Sequence, residues 1–194
     1  NFYEVSGFLA GVVSFLAFIF YYVSILRGKT TPNRATWFIL TIVGILIAVS
    51  YYEVGARETI WVPISYILGP LISFLLSIKY GEGGWTKFDK FCLVSSGVSL
   101  LFWWLSGVAL IALLLNIFID LLGILPTVRK SFYRPEGEES LPWFITVVSS
   151  ILNILAIQYW SFEIYIYPIY MITFNLIIYI LLITPRTKRV DSHE

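Results

Sequence analysis

One ten-residue pattern occurs twice in the chain, as Glu58-Thr-Ile-Trp-Val-Pro63-Ile64-Ser-Tyr-Ile67 and as Glu163-Ile-Tyr-Ile-Tyr-Pro168-Ile169-Tyr-Met-Ile172. Both copies place a proline five residues after the glutamate, an isoleucine next, and another isoleucine three residues later. Upstream, the triplet Trp-Phe-Ile also occurs twice, at 37–39 and at 143–145. The two copies lie about 105 residues apart, which predicts that the chain contains two related halves.

The composition predicts an all-α membrane protein. Of 194 residues, 58% are hydrophobic and only 13% are charged, and the mean hydropathy is +0.83. Soluble domains are nearer a quarter charged, so a soluble enzyme, a disordered chain and a coiled coil are excluded. The single cysteine, Cys92, excludes a disulfide framework or a thiolate cluster, and the single histidine, His193, excludes a histidine site in the core. Neither a metal nor a cofactor is therefore expected.

Uncharged runs of about 20 residues recur along the sequence. At about 1.5 Å per residue, such a run crosses a hydrocarbon core of about 30 Å as a helix. The run at 91–128 is 38 residues long with a single charge, Asp120, and is long enough for two crossings joined by a turn at Ser106-Gly107. The sequence therefore predicts seven transmembrane helices, at about 7–26, 36–52, 60–79, 88–106, 108–127, 142–160 and 164–184.

The basic residues lie in alternate loops. Twelve of the thirteen fall in predicted loops 1–2, 3–4 and 5–6 and in the C-terminal tail, and only Arg57 falls on the other side. The positive-inside rule makes those loops cytoplasmic, so we expect a multi-pass protein with its N-terminus outside and its C-terminus in the cytoplasm. Tryptophans such as Trp37 and Trp143 fall at predicted helix ends, which is typical of an aromatic belt at the membrane interfaces. Stacking of one or two of them on a flat ligand stays open.

The repeat and the helix count together predict a 3+1+3 layout. Helices 1–3 and 5–7 would be parallel copies, and helix 4 would restore the orientation between them. The predicted units are a first bundle at 1–80, a linker helix at 81–107, a second bundle at 108–185 and a cytoplasmic tail at 186–194. Parallel repeats of this kind occur in secondary transporters, whose site lies near mid-membrane between the repeats.

In layout, orientation and short basic loops, the chain resembles the PQ-loop superfamily. That group includes SWEET sugar transporters, PnuC-type vitamin transporters, cystinosin-like carriers and KDEL receptors. The Pro-Gln pair of the superfamily corresponds to Pro126-Thr127 in the second copy and to Val23-Ser24 in the first, so no subfamily is assigned. The resemblance implies a carrier that moves a sugar-like or vitamin-like solute by alternating access.

Polar residues inside the predicted spans are the candidates for substrate binding. Asp120 is the only charged residue among them, and a carboxylate at such depth costs about 2.5–3.5 kcal/mol, so it is usually functional. We take it as the candidate for proton coupling as well. Hydrogen bonds that hold the helices together are the alternative role for these residues. The predicted substrate-binding residues are Tyr66, Asn116, Asp120, Ser149, Asn153 and Asn175.

Prolines inside the predicted spans are candidate hinges, because each removes a backbone hydrogen bond and bends its helix. The resemblance implies that they act as bending points for alternating access. Static kinks that shape the packing are the alternative. The predicted hinges are Pro63, Pro126 and Pro168, and Pro70 also lies in a predicted span.

These features predict a transporter of a small polar solute, passive or proton-coupled, and not an enzyme. The expected partners are the solute and the lipid bilayer, not nucleic acid, and a homo-oligomer stays open. The alternative is a non-transporting receptor of the KDEL-receptor type. Such a receptor needs cationic residues in its cavity, whereas no basic residue falls inside a predicted span.

Overall fold

The fold is described from a computed structural model, for residues 1–32, 34–81, 87–133, 135 and 138–184. All the regular secondary structure in these residues is helical. A short 3-10 helix (Glu58–Ile60) precedes α3. The α-helices are α1 (Phe2–Leu26), α2 (Arg34–Glu53), α3 (Trp61–Tyr80), α4 (Lys87–Ser106), α5 (Ala109–Tyr133), α6 (Ser140–Leu155) and α7 (Phe162–Ile183).

Four of the described helical segments are long and apolar enough to cross a membrane: Phe2–Leu26, Arg34–Glu53, Glu58–Tyr80 and Phe162–Ile183. Many large apolar side chains on these helices, such as Leu75, point out of the bundle. Because a lipid environment rewards such an apolar outer surface, the fold is that of a helical integral membrane protein, as the composition predicts.

Two predicted boundaries can be compared with the structure. The turn predicted at Ser106-Gly107 is confirmed, because α4 ends at Ser106 and Gly107 has a φ of +64°, which glycine adopts without strain. The predicted extension of the sixth helix to residue 160 is wrong, because α6 ends at Leu155. The apolar residues that follow, Ala156 and Ile157, are buried against the bundle and therefore fold back over it instead of continuing the helix.

Small residues allow the helices of the first half to approach closely. A methyl group at Gly7 would overlap the backbone carbonyl of Glu58, and one at Gly11 would overlap Trp61. A methyl group at Gly44 of α2 would likewise overlap the carbonyl of Tyr66 in α3. Such contacts between small residues and backbone are a common basis of packing between membrane helices.

The helix contacts have an internal symmetry. Extensive contacts join α3 to α1 and α2, and the corresponding contacts join α7 to α5 and α6. Between the halves, α1 packs on α6, and α2 packs on α5. Renaming α1, α2 and α3 as α5, α6 and α7, and the reverse, returns the same set of pairs. The remaining helix, α4, packs on α5 and α2.

Candidate functional site

A cavity of about 320 Å³ lies between the two sets of helices. This volume is at the lower end of the range of small-molecule sites, about 300–1,000 Å³. Both halves contribute to it: α1, α2 and α3 on one side, and α5, α6 and α7 on the other. The residues at its border include Ala17, Gly44, Tyr66, Asp120, Thr146 and Asn175.

One end of the cavity reaches the loops that carry basic residues. Thr31, in the connection from α1 to α2, borders it there, as do Glu138 and Pro142 near the start of α6. We call this end of the bundle the basic end. Nearby, Lys29 donates a hydrogen bond to Glu139 over 2.9 Å and so links the two halves at the surface. That hydrogen bond holds the pKa of the Glu139 carboxyl below its ordinary value.

At the opposite end, one turn beyond Ile47 at the cavity border, lies a buried tyrosine. The hydroxyl of Tyr51, at the end of α2, donates to the backbone carbonyl of Ile164 in α7 over 2.5 Å. The same hydroxyl lies 2.9 Å from that of Thr59. The ring of Tyr51 packs on Tyr167, with centroids 5.3 Å apart, and neither ring is more than 2% exposed. The first half and the second half therefore meet in a dry contact at this end.

Asp120 is half-buried at the border of the cavity. The Tyr170 hydroxyl of α7 donates to its Oδ2 over 2.5 Å, so the pair ties α5 to α7. A corresponding pair ties α1 to α3 in the first half, where Ser65 donates to Ser14 over 2.6 Å. Positions 65 and 170 have the 105-residue spacing of the repeat, whereas positions 14 and 120 are 106 apart and the matched pairs at 23–24 and 126–127 are 103 apart.

Two other predicted residues join Asp120 at this cavity. Tyr66 borders it from α3, and its ring contacts Phe18 of α1 at 5.2 Å between centroids. Asn175 borders it from α7, is only 5% exposed, and donates to the Ser150 hydroxyl over 3.0 Å. Three of the six predicted binding residues therefore lie around one space.

The other three lie within helix contacts and not at the cavity border. Ser149 is buried and donates to the Ala10 carbonyl over 2.8 Å, which is the interhelical role that was the alternative for these residues. Asn116 is also buried. Asn153 is completely buried, and neither atom of its amide has a hydrogen-bond partner among the described residues.

The predicted hinges occupy different kinds of position. Pro63 lies in the first turn of α3, where a backbone N–H has no acceptor within the helix, so it removes no helical hydrogen bond there. The interior proline of α3 is Pro70, which borders the cavity. Pro168 lies inside α7. The backbone of α5 continues past Pro126, but the side chain of Pro126 lies outside the described part of the structure.

Sequence analysis missed the aromatic walls of the cavity. Trp37 and Trp143, predicted as membrane-interface residues, both border the cavity. They are 106 residues apart and open the repeated triplet, so their matched positions were the available signal. Further rings at the border are Phe18, Tyr21, Tyr167, Tyr170 and Phe174.

Comparisons with protein-family models, with curated proteins and with solved structures found no match to this chain.

Asn175 and Asn153, two of the three asparagines described as buried, offer a matched test of these placements. Asn175→Leu is expected to lower stability by about 1 kcal/mol, because it removes the hydrogen bond to Ser150. Asn153→Leu is expected to keep or raise stability, because it replaces an amide that has no partner in the described structure with an apolar group of similar size. Apparent melting temperatures of the purified variants in detergent measure both effects. The opposite order of the two variants would contradict the placements.

Proposed function

We propose that the chain is a membrane transporter that moves a small solute by alternating access between two parallel three-helix bundles. In this proposal α1 to α3 form the first bundle, α4 is the linker, and α5 to α7 form the second. All seven helices cross the membrane, with the basic end in the cytoplasm and the N-terminus outside, as the distribution of Lys and Arg favours. This is the layout of the PQ-loop superfamily that the sequence resembles.

Two observations support the repeat. The helix pairs are the same in both halves, and each half has a hydrogen bond between side chains of its first and third helices, Ser65 to Ser14 and Tyr170 to Asp120. A duplicated unit explains both observations.

The single observation that carries the function is the one-ended cavity between the two halves. It reaches the surface near Thr31 and Glu138, and we propose that the contact between Tyr51 and Ile164, beyond Ile47 at the other end, closes it there. A solute in such a cavity meets only one side of the membrane. Breaking the contact at Tyr51 and closing the basic end would expose the same cavity to the other side, which is the movement that alternating access requires.

Asp120 is the proposed coupling group. It is the carboxyl group that borders the cavity at helix depth, and a proton taken up there is shielded from the lipid. Pro168 and Pro126 stay proposed as bending points of the second bundle. In the first bundle Pro70 is better placed for that role than Pro63, because it lies inside α3 and at the cavity.

Cysteine labelling tests alternating access without knowledge of the solute. Ile47 borders the cavity one turn before Tyr51, on the cavity side of the seal. In a protein that also carries Cys92→Ser, Ile47→Cys is expected to react with a membrane-impermeant, cationic thiosulfonate from either side of the membrane. Labelling is followed separately in right-side-out and inside-out vesicles.

A matched control is Val98→Cys in the same background, since Val98 lies on the outer surface of α4. A thiol in contact with lipid is not expected to react from either side. Labelling of Ile47→Cys from the basic end alone would contradict the transporter and would favour a receptor with a fixed cavity. The absence of labelling of Ile47→Cys from either side would contradict the placement of the cavity.

A further inference from the structure

We infer that the cavity binds a soft organic cation: an ammonium or pyridinium group whose charge is spread over methyl groups or a ring. This inference rests on the proposed function, in which the cavity holds the transported solute, and it names the chemical class of that solute. It replaces the neutral sugar-like solute that the resemblance alone implies.

The described border of the cavity carries acidic side chains. The described residues at its border include two acids, Asp120 and Glu138, and neither lysine nor arginine. Asp120 accepts a hydrogen bond from Tyr170, a group without positive charge. Among the described bases near this end, Lys29 pairs with Glu139, and Arg34 donates to the backbone carbonyls of Ser77 and Gly81. An ionised carboxylate at helix depth is stabilised by an opposite charge, and a cationic solute brings one.

Aromatic side chains form much of the cavity wall. On one side of the cavity, Tyr21 and Trp37 have centroids 5.1 Å apart, and Phe18 adds a third ring. On the other side, Tyr170 contacts Phe174 at 5.2 Å. Both groups border the space that Asp120 borders. Aromatic cages of this kind recognise methylated ammonium groups, because the negative face of each ring attracts a cation that is weakly hydrated.

Several polar groups that a sugar would use lie elsewhere or already have partners. Asn116, Ser149 and Asn153 do not border the cavity in the described structure. Of the polar groups that do, Thr146 donates to the Trp143 carbonyl, and Asn175 donates to Ser150. These engaged groups return fewer hydrogen bonds to a polyhydroxylated solute that leaves water. A methylated cation makes no such demand, since its charge needs only Asp120 and the rings.

A pair of probes of the same shape tests the inference on the purified full chain. Choline and 3,3-dimethylbutan-1-ol differ only in that a carbon atom replaces the charged nitrogen. Isothermal titration calorimetry is expected to give at least tenfold tighter binding of choline than of the neutral alcohol. N-methylpyridinium is expected to compete with choline, and glucose is not.

Variants of Asp120, at the cavity, and of Glu139, outside its border, separate the cavity charge from the total charge. Asp120→Asn is expected to weaken choline binding at least tenfold, while Asp120→Glu keeps most of it. Glu139→Gln removes one negative charge at the surface, outside the cavity border, and is expected to leave choline binding unchanged. If Asp120→Asn does not fold, the comparison of choline with the neutral alcohol on the unchanged protein still tests whether the cavity binds a cation.

Equal affinity for choline and the neutral alcohol would overturn the inference. So would binding of glucose without binding of either cation, or no binding of either cation at millimolar concentrations. These measurements are made at equilibrium, whereas the labelling of Ile47→Cys is made without solute. Failure of the cation class and failure of the transporter are therefore distinguishable.

Discussion

Replacing Gly7 with alanine is expected to lower the stability of the protein strongly. The added carbon would overlap the backbone carbonyl of Glu58, which belongs to the 3-10 helix before α3 and cannot rotate away as a flexible side chain could. Helix α1 must then move off α3. Overpacking of this kind costs up to about 3 kcal/mol. For a chain of this size, that loss lowers the melting temperature by about 6–12 °C.

The matched control is Gly97→Ala in α4, where an added methyl group meets nothing within 4 Å. It is expected to keep the melting temperature or to raise it slightly, because alanine favours a helix by about 1 kcal/mol over glycine. Both melting temperatures are measured on purified protein in the same detergent. Equal melting temperatures for the two variants would mean that α1 and α3 do not pack in this register.

The second large effect is expected from Gly123→Trp, which fills the cavity. Gly123 borders the cavity one turn after Asp120, and the nearest atom to an added Cβ is a Leu40 methyl group at 3.5 Å, an ordinary contact. The first atom of a new side chain is therefore accommodated, and the indole extends into the space that a solute would occupy. We expect uptake of radiolabelled choline by proteoliposomes to fall at least tenfold.

Gly97→Trp is the control of equal size, because its indole would lie on the outer surface of α4. It is expected to transport choline at the rate of the unchanged protein. The indole of Gly123→Trp is also expected to protect Ile47→Cys from the thiosulfonate. This protection is a readout that does not depend on transport. Unchanged uptake in Gly123→Trp would show that the solute does not pass between α2 and α5.

The depth of each polar residue could be predicted from the sequence, but its direction could not. Asn116, Asn153 and Asn175 were all expected close to the membrane midplane, with Asp120 about one turn nearer the cytoplasm, since depth follows from the position along a helix of known rise. Only Asn175 of the three asparagines borders the cavity. In a soluble helix the polar face points to water, but here the lipid and the core are both apolar, so the pattern of apolar residues does not distinguish the faces.

The tryptophans illustrate the same limit. A tryptophan near a helix end suits the membrane interface in any helix, so Trp37 and Trp143 were assigned to an aromatic belt. In the fold, these ends turn toward the axis between the halves, and both rings border the cavity. Their repetition in the sequence indicated equivalent positions, but not that the equivalent positions face each other.

The sequence by itself determined that this is a helical membrane protein, where most of its helices lie, and that two segments 105 residues apart correspond. These properties are local, since they depend on the apolar length of each segment and on identities along the chain. Only the tertiary structure decided which residues share a cavity, that Tyr51 bonds to Ile164 of the second half, and that Asp120 faces Tyr170 across two helices. Those contacts depend on the rotation of each helix about its own axis, which close packing at residues such as Gly7 and Gly44 sets and which hydrophobicity in a lipid environment leaves undetermined.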